Sequence, residues 1–279
     1  MSESAAGTPI RPARPAARRT LGAVPAPALV APLAVLALGL GLWQLGAFHA
    51  VFGLKTFTVP YPSAIVAGWQ DDGGVIVEAA GATLPAAILG YVLGMALGLA
   101  IATILVLSAP RLIDRVLPFL SATNSLPIVA LAPLVALFTG PGVPLKVIVV
   151  AIMTTPVMVV YAIRGLRDVD PTAVELMASL EATPNQLYRM VRLRTALPFV
   201  FTALKSSIVL ALIGTIVAES VRGFEGLGYV IVDSMGSFKA VEAWLALIAI
   251  AGIGIGWYLL VEVLERLAIP WEAGRRRHA

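Results

Sequence analysis

Residues 83–107 read TLPAAILGYVLGMALGLAIATILVL, a stretch without Asp, Glu, Lys, Arg or His. A hydrocarbon core about 30 Å thick is crossed by about 20 residues rising 1.5 Å each, so this stretch can span a bilayer as one helix. Gly90, Gly94 and Gly98 recur every four residues inside it, and Ala86 and Ala102 extend the row. Such a stripe of small residues lets a second helix approach closely. The partner helix is expected in the same chain rather than in a second copy.

Outward from this stretch, the same length rule picks out Ala28–Phe48, Leu117–Phe138, Leu145–Ile163, Phe199–Ala218 and Trp244–Val261, which makes six spans with Thr83–Leu107. Lys205 interrupts the fifth near one end and is expected to snorkel toward the headgroups. The chain is 59% apolar and 13% charged. A water-exposed domain carries about 25% charged residues, so much of this surface faces lipid. The absence of cysteine excludes disulfides, thiol catalysis and cysteine-ligated metals. His49 and His278, the only histidines, give a metal site little to build on. The isoelectric point near 9.6 would suggest nucleic acid in a soluble protein. Here the positive residues fall between apolar runs, and no nucleic-acid partner is expected.

Those charges set an orientation. With the N-terminus inside, Arg11, Arg14, Arg18, Arg19, Arg111, Arg115, Arg164, Arg167, Arg189, Arg192, Arg194, Lys205, Arg266, Arg275, Arg276 and Arg277 are cytoplasmic, against Lys55, Lys146, Arg222 and Lys239 outside. That bias is what the positive-inside rule demands, and one span more or fewer would reverse the later groups. The expected class is therefore an all-α membrane protein of six transmembrane helices with both termini cytoplasmic. Residues 1–27, rich in Pro, Ala and Arg, read as a disordered tail; 28–265 form the membrane domain; 266–279 are a basic cytoplasmic tail. Residues 49–82 read as an outer segment holding a short helix through Trp69.

The cytoplasmic segment 164–198, between spans four and five, is the most informative. Asp170-Pro171 is an N-cap followed by proline at the first helical position, predicting a helix through about Leu180. Thr183-Pro184-Asn185-Gln186 is a second start with the spacing of a capping box. Its helix is expected to carry Leu187, Met190 and Val191 on one face, and Pro198 to end the loop where the fifth span begins. The result is a helix–turn–helix with an apolar tip outside the bilayer.

This segment resembles the coupling loop of binding-protein-dependent ABC importer permeases. The likeness lies in Glu175-Leu176-Met177-Ala178 through Ala182-Thr183, Val191-Arg192-Leu193 and Thr195-Ala196-Leu197-Pro198. It extends to Pro60-Tyr61-Pro62-Ser63, to Ser125-Leu126-Pro127-Ile128-Val129-Ala130-Leu131-Ala132-Pro133-Leu134 with Gly140 and Gly142, and to Gly226-Leu227-Gly228-Tyr229. Together these strings cover roughly residues 58–265 and resemble the nitrate/sulfonate/taurine branch, which includes permeases for pyrimidine precursors and riboflavin. The resemblance implies that Glu175, Ala178, Ser179, Glu181, Ala182, Thr183, Gln186 and Leu187 meet a groove on a cytoplasmic ATPase. It further implies a periplasmic or lipid-anchored binding protein, a second permease (this chain again or a homologue), and ATP with Mg held by the ATPase, not by this chain. Two positions depart from the family pattern: Glu181 stands at the turn glycine, and Leu193-Arg194 replaces a Leu-Pro pair. If the turn needs a positive φ, glutamate there costs about 1 kcal/mol. An extended first helix, or pairing of Glu181 with an ATPase arginine, is then expected.

The spans also bear on energy. No ionisable group falls in 117–145 or 147–163, apart from Tyr161, and Glu219 reads as the only acid close to a span. A proton- or sodium-coupled carrier places carboxylates at mid-membrane, so the alternative of an ion-coupled secondary transporter is disfavoured. Polar residues that could line a pathway are Ser121, Asn124, Ser125, Thr154, Thr155, Thr215 and Glu219, although Ser and Thr more often bond their own helix. Pro127, Pro133 and Pro156 are expected to kink their helices. No catalytic residue set and no nucleotide-binding motif appears, so the reading is a transport subunit in a bacterial inner membrane, not an enzyme.

Overall fold

The computed structural model describes residues 26–123 and 127–270, and every regular element among them is helical. Two units are distinguished, one ending at Gly53 and one beginning at Leu54. The first holds α1 (Ala26–Gln44) and α2 (Ala47–Phe52). Gly46, at φ 77°, separates them. The expected single run Ala28–Phe48 is thus two helices, because the glycine takes a left-handed conformation that ends the first one.

The second unit is built on α3 (Pro62–Ser108), α6 (Val143–Arg167), α9 (Leu193–Arg222) and α11 (Ala240–Ala268). Between them lie α4 (Ile113–Thr123), α5 (Ile128–Thr139), α7 (Pro171–Ser179), α8 (Pro184–Leu187) and α10 (Leu227–Gly236). Four helices are long and apolar enough to cross a membrane: Pro62–Ser108, Val143–Arg167, Pro184–Val221 and Ala240–Ala268. Each contains one predicted span. The third predicted span corresponds to α4 and α5, which flank residues 124–126, outside the described residues. Pro127 N-caps α5, while Pro133 and Pro156 are carried inside helices.

α3 corrects the expected outer segment. It is one helix of 47 residues, about 70 Å at 1.5 Å per residue. The Asp71-Asp72-Gly73-Gly74 run looks like a loop, but Ile65, Gly73, Ile76, Ala79 and Thr83 are buried at helical spacing and hold it in register. Pro62 at the first turn supplies the start.

The glycine stripe packs within the chain, as expected. A Cβ on Gly90 would lie 2.7 Å from the Val147 carbonyl and the Val150 Cβ, one on Gly94 would strike Thr154, and one on Gly98 would lie 2.6 Å from the Met158 Cβ. Both numbers rise together, so α3 and α6 run parallel. Residues 109–142 therefore carry the chain back from the end of one to the start of the other. α9 runs antiparallel to α6, with Gly165 against Ala196 and Phe199 at one end and Gly214 against Met153 nearer the other. Met158, Ile163, Leu166, Ala203 and Ile208 fill the centre of this three-helix core. α11 joins through Trp257, whose ring meets Tyr91 edge-on at 4.9 Å.

Lys205 does not snorkel. It pairs with Glu262 at 2.6 Å and with Glu265, both on α11. These acids lie beyond the predicted end of the sixth span at Val261, because α11 runs on to Ala268 with Glu265 buried. Glu219 is therefore not the only acid near a span.

Candidate functional site: an exposed knob and a buried polar node

Residues 170–192 form the knob. The Asp170 carboxylate accepts the Thr172 N–H at 2.9 Å and α7 follows from Pro171. α7 ends at Ser179 and is not extended. The Glu181 N–H donates to the Ala178 carbonyl and the Ala182 N–H to the Met177 carbonyl, each at 3.0 Å. This is a Schellman closure, with Glu181 at φ 53° in the left-handed position that usually takes glycine. The expected reshaping is absent; the turn keeps a positive φ and glutamate bears the strain. Thr183 and Gln186 then form the capping box, the Thr183 N–H donating to Gln186 Oε1 at 2.7 Å.

α8 passes through a π-helical turn, Tyr188–Arg192, directly into α9. Pro198 lies inside α9, contrary to the break expected there between the loop and the fifth span; the whole run from Pro184 is one rod. The Tyr188 and Thr103 hydroxyls are 2.8 Å apart, tying this turn to α3. Glu175, Ala178, Ser179, Glu181, Thr183 and Gln186 are exposed, and Ala182 and Leu187 are half-buried. Leu187 and Val191 turn partly inward, but Met190 does not. Leu176, Leu180 and Met190 are 60%, 68% and 58% exposed, an apolar tip without a partner among the described residues.

At the other end of α9 lies a polar node. Glu219 and Lys146 are 1% and 2% exposed and their charged groups are 3.0 Å apart. The Glu219 carboxylate also accepts the Thr83 hydroxyl at 2.9 Å and the Gly228 N–H at 2.9 Å. Thr83 Oγ1 in turn accepts the Leu227 N–H at 2.8 Å. One carboxylate thus joins α3, α6, α9 and the N-terminus of α10, where negative charge is favoured. Close approach requires the glycines here: a Cβ on Gly226, at φ 102°, would overlap the Glu219 carboxylate, and one on Gly228 would overlap the Ile216 carbonyl. Glu225, largely exposed, stands 3.7 Å from Lys146 at the rim.

The other pathway candidates sit differently. Thr154 and Thr215 are fully buried and bond the Val150 and Ala211 carbonyls at 2.9 Å. Thr155 bonds Ala151 at 2.7 Å and Gly94 at 3.3 Å. Ser121 is exposed on α4, while Asn124 and Ser125 lie outside the described residues. Sequence reasoning missed Lys146, which reads as an outer loop charge, and Thr83, which reads as the start of a span. The signal available was the pair of lone charges at the ends of adjacent antiparallel helices. α10 was also missed, because its glycines look like loop.

Residues 90–271 match the family described as binding-protein-dependent transport system inner membrane component. The chain belongs to this family. It is an ABC importer permease by that membership, a transport subunit and not an enzyme. It is 33% identical over 251 residues, 88% of this chain and 91% of the relative, to the riboflavin transport system permease protein RibX of Chloroflexus aurantiacus. Against the formylaminopyrimidine transport permease protein ThiX of Halalkalibacterium halodurans it is 30% identical, covering 68% of this permease and 76% of that protein. Its fold resembles an amino acid ABC transporter crystallised with histidines, at TM-score 0.57 and 22% identity over 72% of this chain and 97% of that one. The inward-facing MetNI methionine ABC transporter gives a TM-score of 0.55 at 17% identity, over 75% and 98% of the two chains.

Proposed function

We propose that the permease works as a pair of six-span subunits, taking a small solute from an extracytoplasmic binding protein and moving it inward on the power of separate ATPases. The knob, residues 170–192, is the ATPase contact, through Glu175, Ala178, Ser179, Glu181, Ala182, Thr183, Gln186 and Leu187. ATP and Mg are held by that partner. The observation that carries this reading is the unpartnered apolar tip of Leu176, Leu180 and Met190 on a turn closed by two capping motifs. A tip so rigidly built and so exposed fits insertion into a groove.

Six spans follow if α1 and the broken pair α4 and α5 each cross once; the parallel run of α3 and α6 supports the second of these. The arginine-rich side is then cytoplasmic, with both termini and the knob. The tails 1–27 and 266–279 flank a membrane domain of 28–265. Lys146 and Lys205 no longer count as loop charges, and removing one from each side leaves the bias standing. Among the described residues the buried acids Glu219, Glu242 and Glu265 each face a lysine, which supports an external energy source over ion coupling. The solute is a planar heterocycle of the flavin or pyrimidine class, a reading supported by the riboflavin and formylaminopyrimidine permeases, each at least 30% identical over more than two thirds of both chains. Its pathway runs past the exposed face of α4 at Ser121; the candidates Asn124 and Ser125 lie outside the described residues.

A single cysteine at Leu180→Cys tests the contact cleanly, because the chain has no native cysteine. A bifunctional crosslinker is expected to join it to the cognate ATPase in a transport-competent complex. An active complex that yields no adduct overturns the reading.

A further inference from the structure

We infer that Glu219 and Lys146 are positioning residues that transmit the stroke of the rod to α10, and not residues that line the solute path. The inference rests on the proposed coupling at the knob and deepens it. From Pro184 to Val221 the chain is one continuous helix of 38 residues, about 57 Å long at 1.5 Å per residue. Its knob end is the part an ATPase would push. Its far end carries Glu219, which holds α10 by the first-turn N–H of Gly228 and, through Thr83, by that of Leu227.

The Ser220 hydroxyl of α9 adds a bond to the Gly228 carbonyl at 3.2 Å, and among the described residues no other charged group reaches the buried face of α10. Its remaining buried residues, Val230 and Ser234, pack without a charge pair, and the Ser234 hydroxyl has no hydrogen-bond partner among the described residues. Gly226 leaves no room between this helix start and the carboxylate, and Gly228 leaves none between it and the Ile216 carbonyl of α9. A shift of α9 that left α10 behind would break the bonds of Glu219 and Ser220 to Gly228; one that carried α10 along would instead break the bonds that tie Glu219 to Thr83 and Lys146 and Leu227 to Thr83. Lys146, on α6, supplies the anchor against which that movement occurs. It has a second carboxylate within reach, Glu225 at 3.7 Å, on the short segment between α9 and α10. Lys146 can therefore keep an acidic partner as Glu219 moves away. α10, with its exposed Val232 face, is the element that opens or closes the outer end.

The test uses the complete complex of permease, ATPase and binding protein. A single cysteine at Val232→Cys reports α10 through its reaction rate with a water-soluble maleimide. That rate is expected to change at least threefold between the nucleotide-free and vanadate-trapped states, and to lose the change when Glu219→Gln is added. In Glu219→Gln and in Lys146→Met, solute uptake per folded complex should fall at least tenfold while ATP hydrolysis falls less than threefold. A purely structural role would lower both together, in step with the amount folded, and that result overturns the inference. So does a nucleotide-dependent rate that persists unchanged in Glu219→Gln. Failure of the Leu180→Cys adduct would instead remove the coupling reading beneath it.

Discussion

The two ends of α9 solve opposite problems. At the knob, the groups that cap and close the turn are satisfied by neighbours in sequence: Asp170 by Thr172, Thr183 by Gln186, and the α7 carbonyls by Glu181 and Ala182. The apolar side chains there are the ones left over. At the node, polar groups are satisfied only by distant elements: Glu219 bonds residues 83, 146 and 228, and apolar packing closes around them. The knob is a locally folded piece awaiting a partner. The node is a junction that exists only when four helices are assembled. Changes at the node should therefore be costly and global, and changes at the knob mild in stability but decisive in function.

The largest effect is expected at the ion pair. Lys146→Met leaves the Glu219 charge buried and unpaired, at a loss of about 3–5 kcal/mol. Removing both charges in Lys146→Met with Glu219→Gln should cost less than either single change. Thermal unfolding in detergent measures all three; an additive double variant would show that the pair is not coupled. Next comes Gly226→Ala, which places a methyl group on the carboxylate at a positive φ. It should destabilise by about 2–4 kcal/mol, visible as loss of folded protein on size exclusion.

Smaller effects belong to the knob. Thr183→Ala removes the capping box and should cost about 1 kcal/mol, read as a small drop in melting temperature. Glu181→Gly runs the other way. It relieves a left-handed glutamate and should add about 1 kcal/mol. If Glu181 also pairs with an ATPase arginine, the same substitution will weaken crosslinking through Leu180→Cys even as the permease gains stability. A gain in both would separate strain from recognition.

These differences explain what the sequence made legible. The knob could be read almost residue by residue, since Asp170-Pro171 and Thr183 to Gln186 are local signals that act within three positions. The Gly90, Gly94, Gly98 stripe was equally plain, because one helix face records its neighbour. The node was not readable. Lys146 and Glu219 are 73 positions apart, and each alone resembles an ordinary loop charge beside a span. Continuity was hidden too: Gly73-Gly74 and Pro198 look like breaks, and only burial of the surrounding face keeps α3 and α9 intact. Local breakers weigh less than packing when a helix has a full partner along its length.

The most direct measurement is solute accumulation in proteoliposomes holding the permease with its ATPase and binding protein. Uptake should require ATP on the ATPase side and continue when ionophores abolish every ion gradient. Accumulation that proceeds without hydrolysis and collapses with the ionophores would contradict the account.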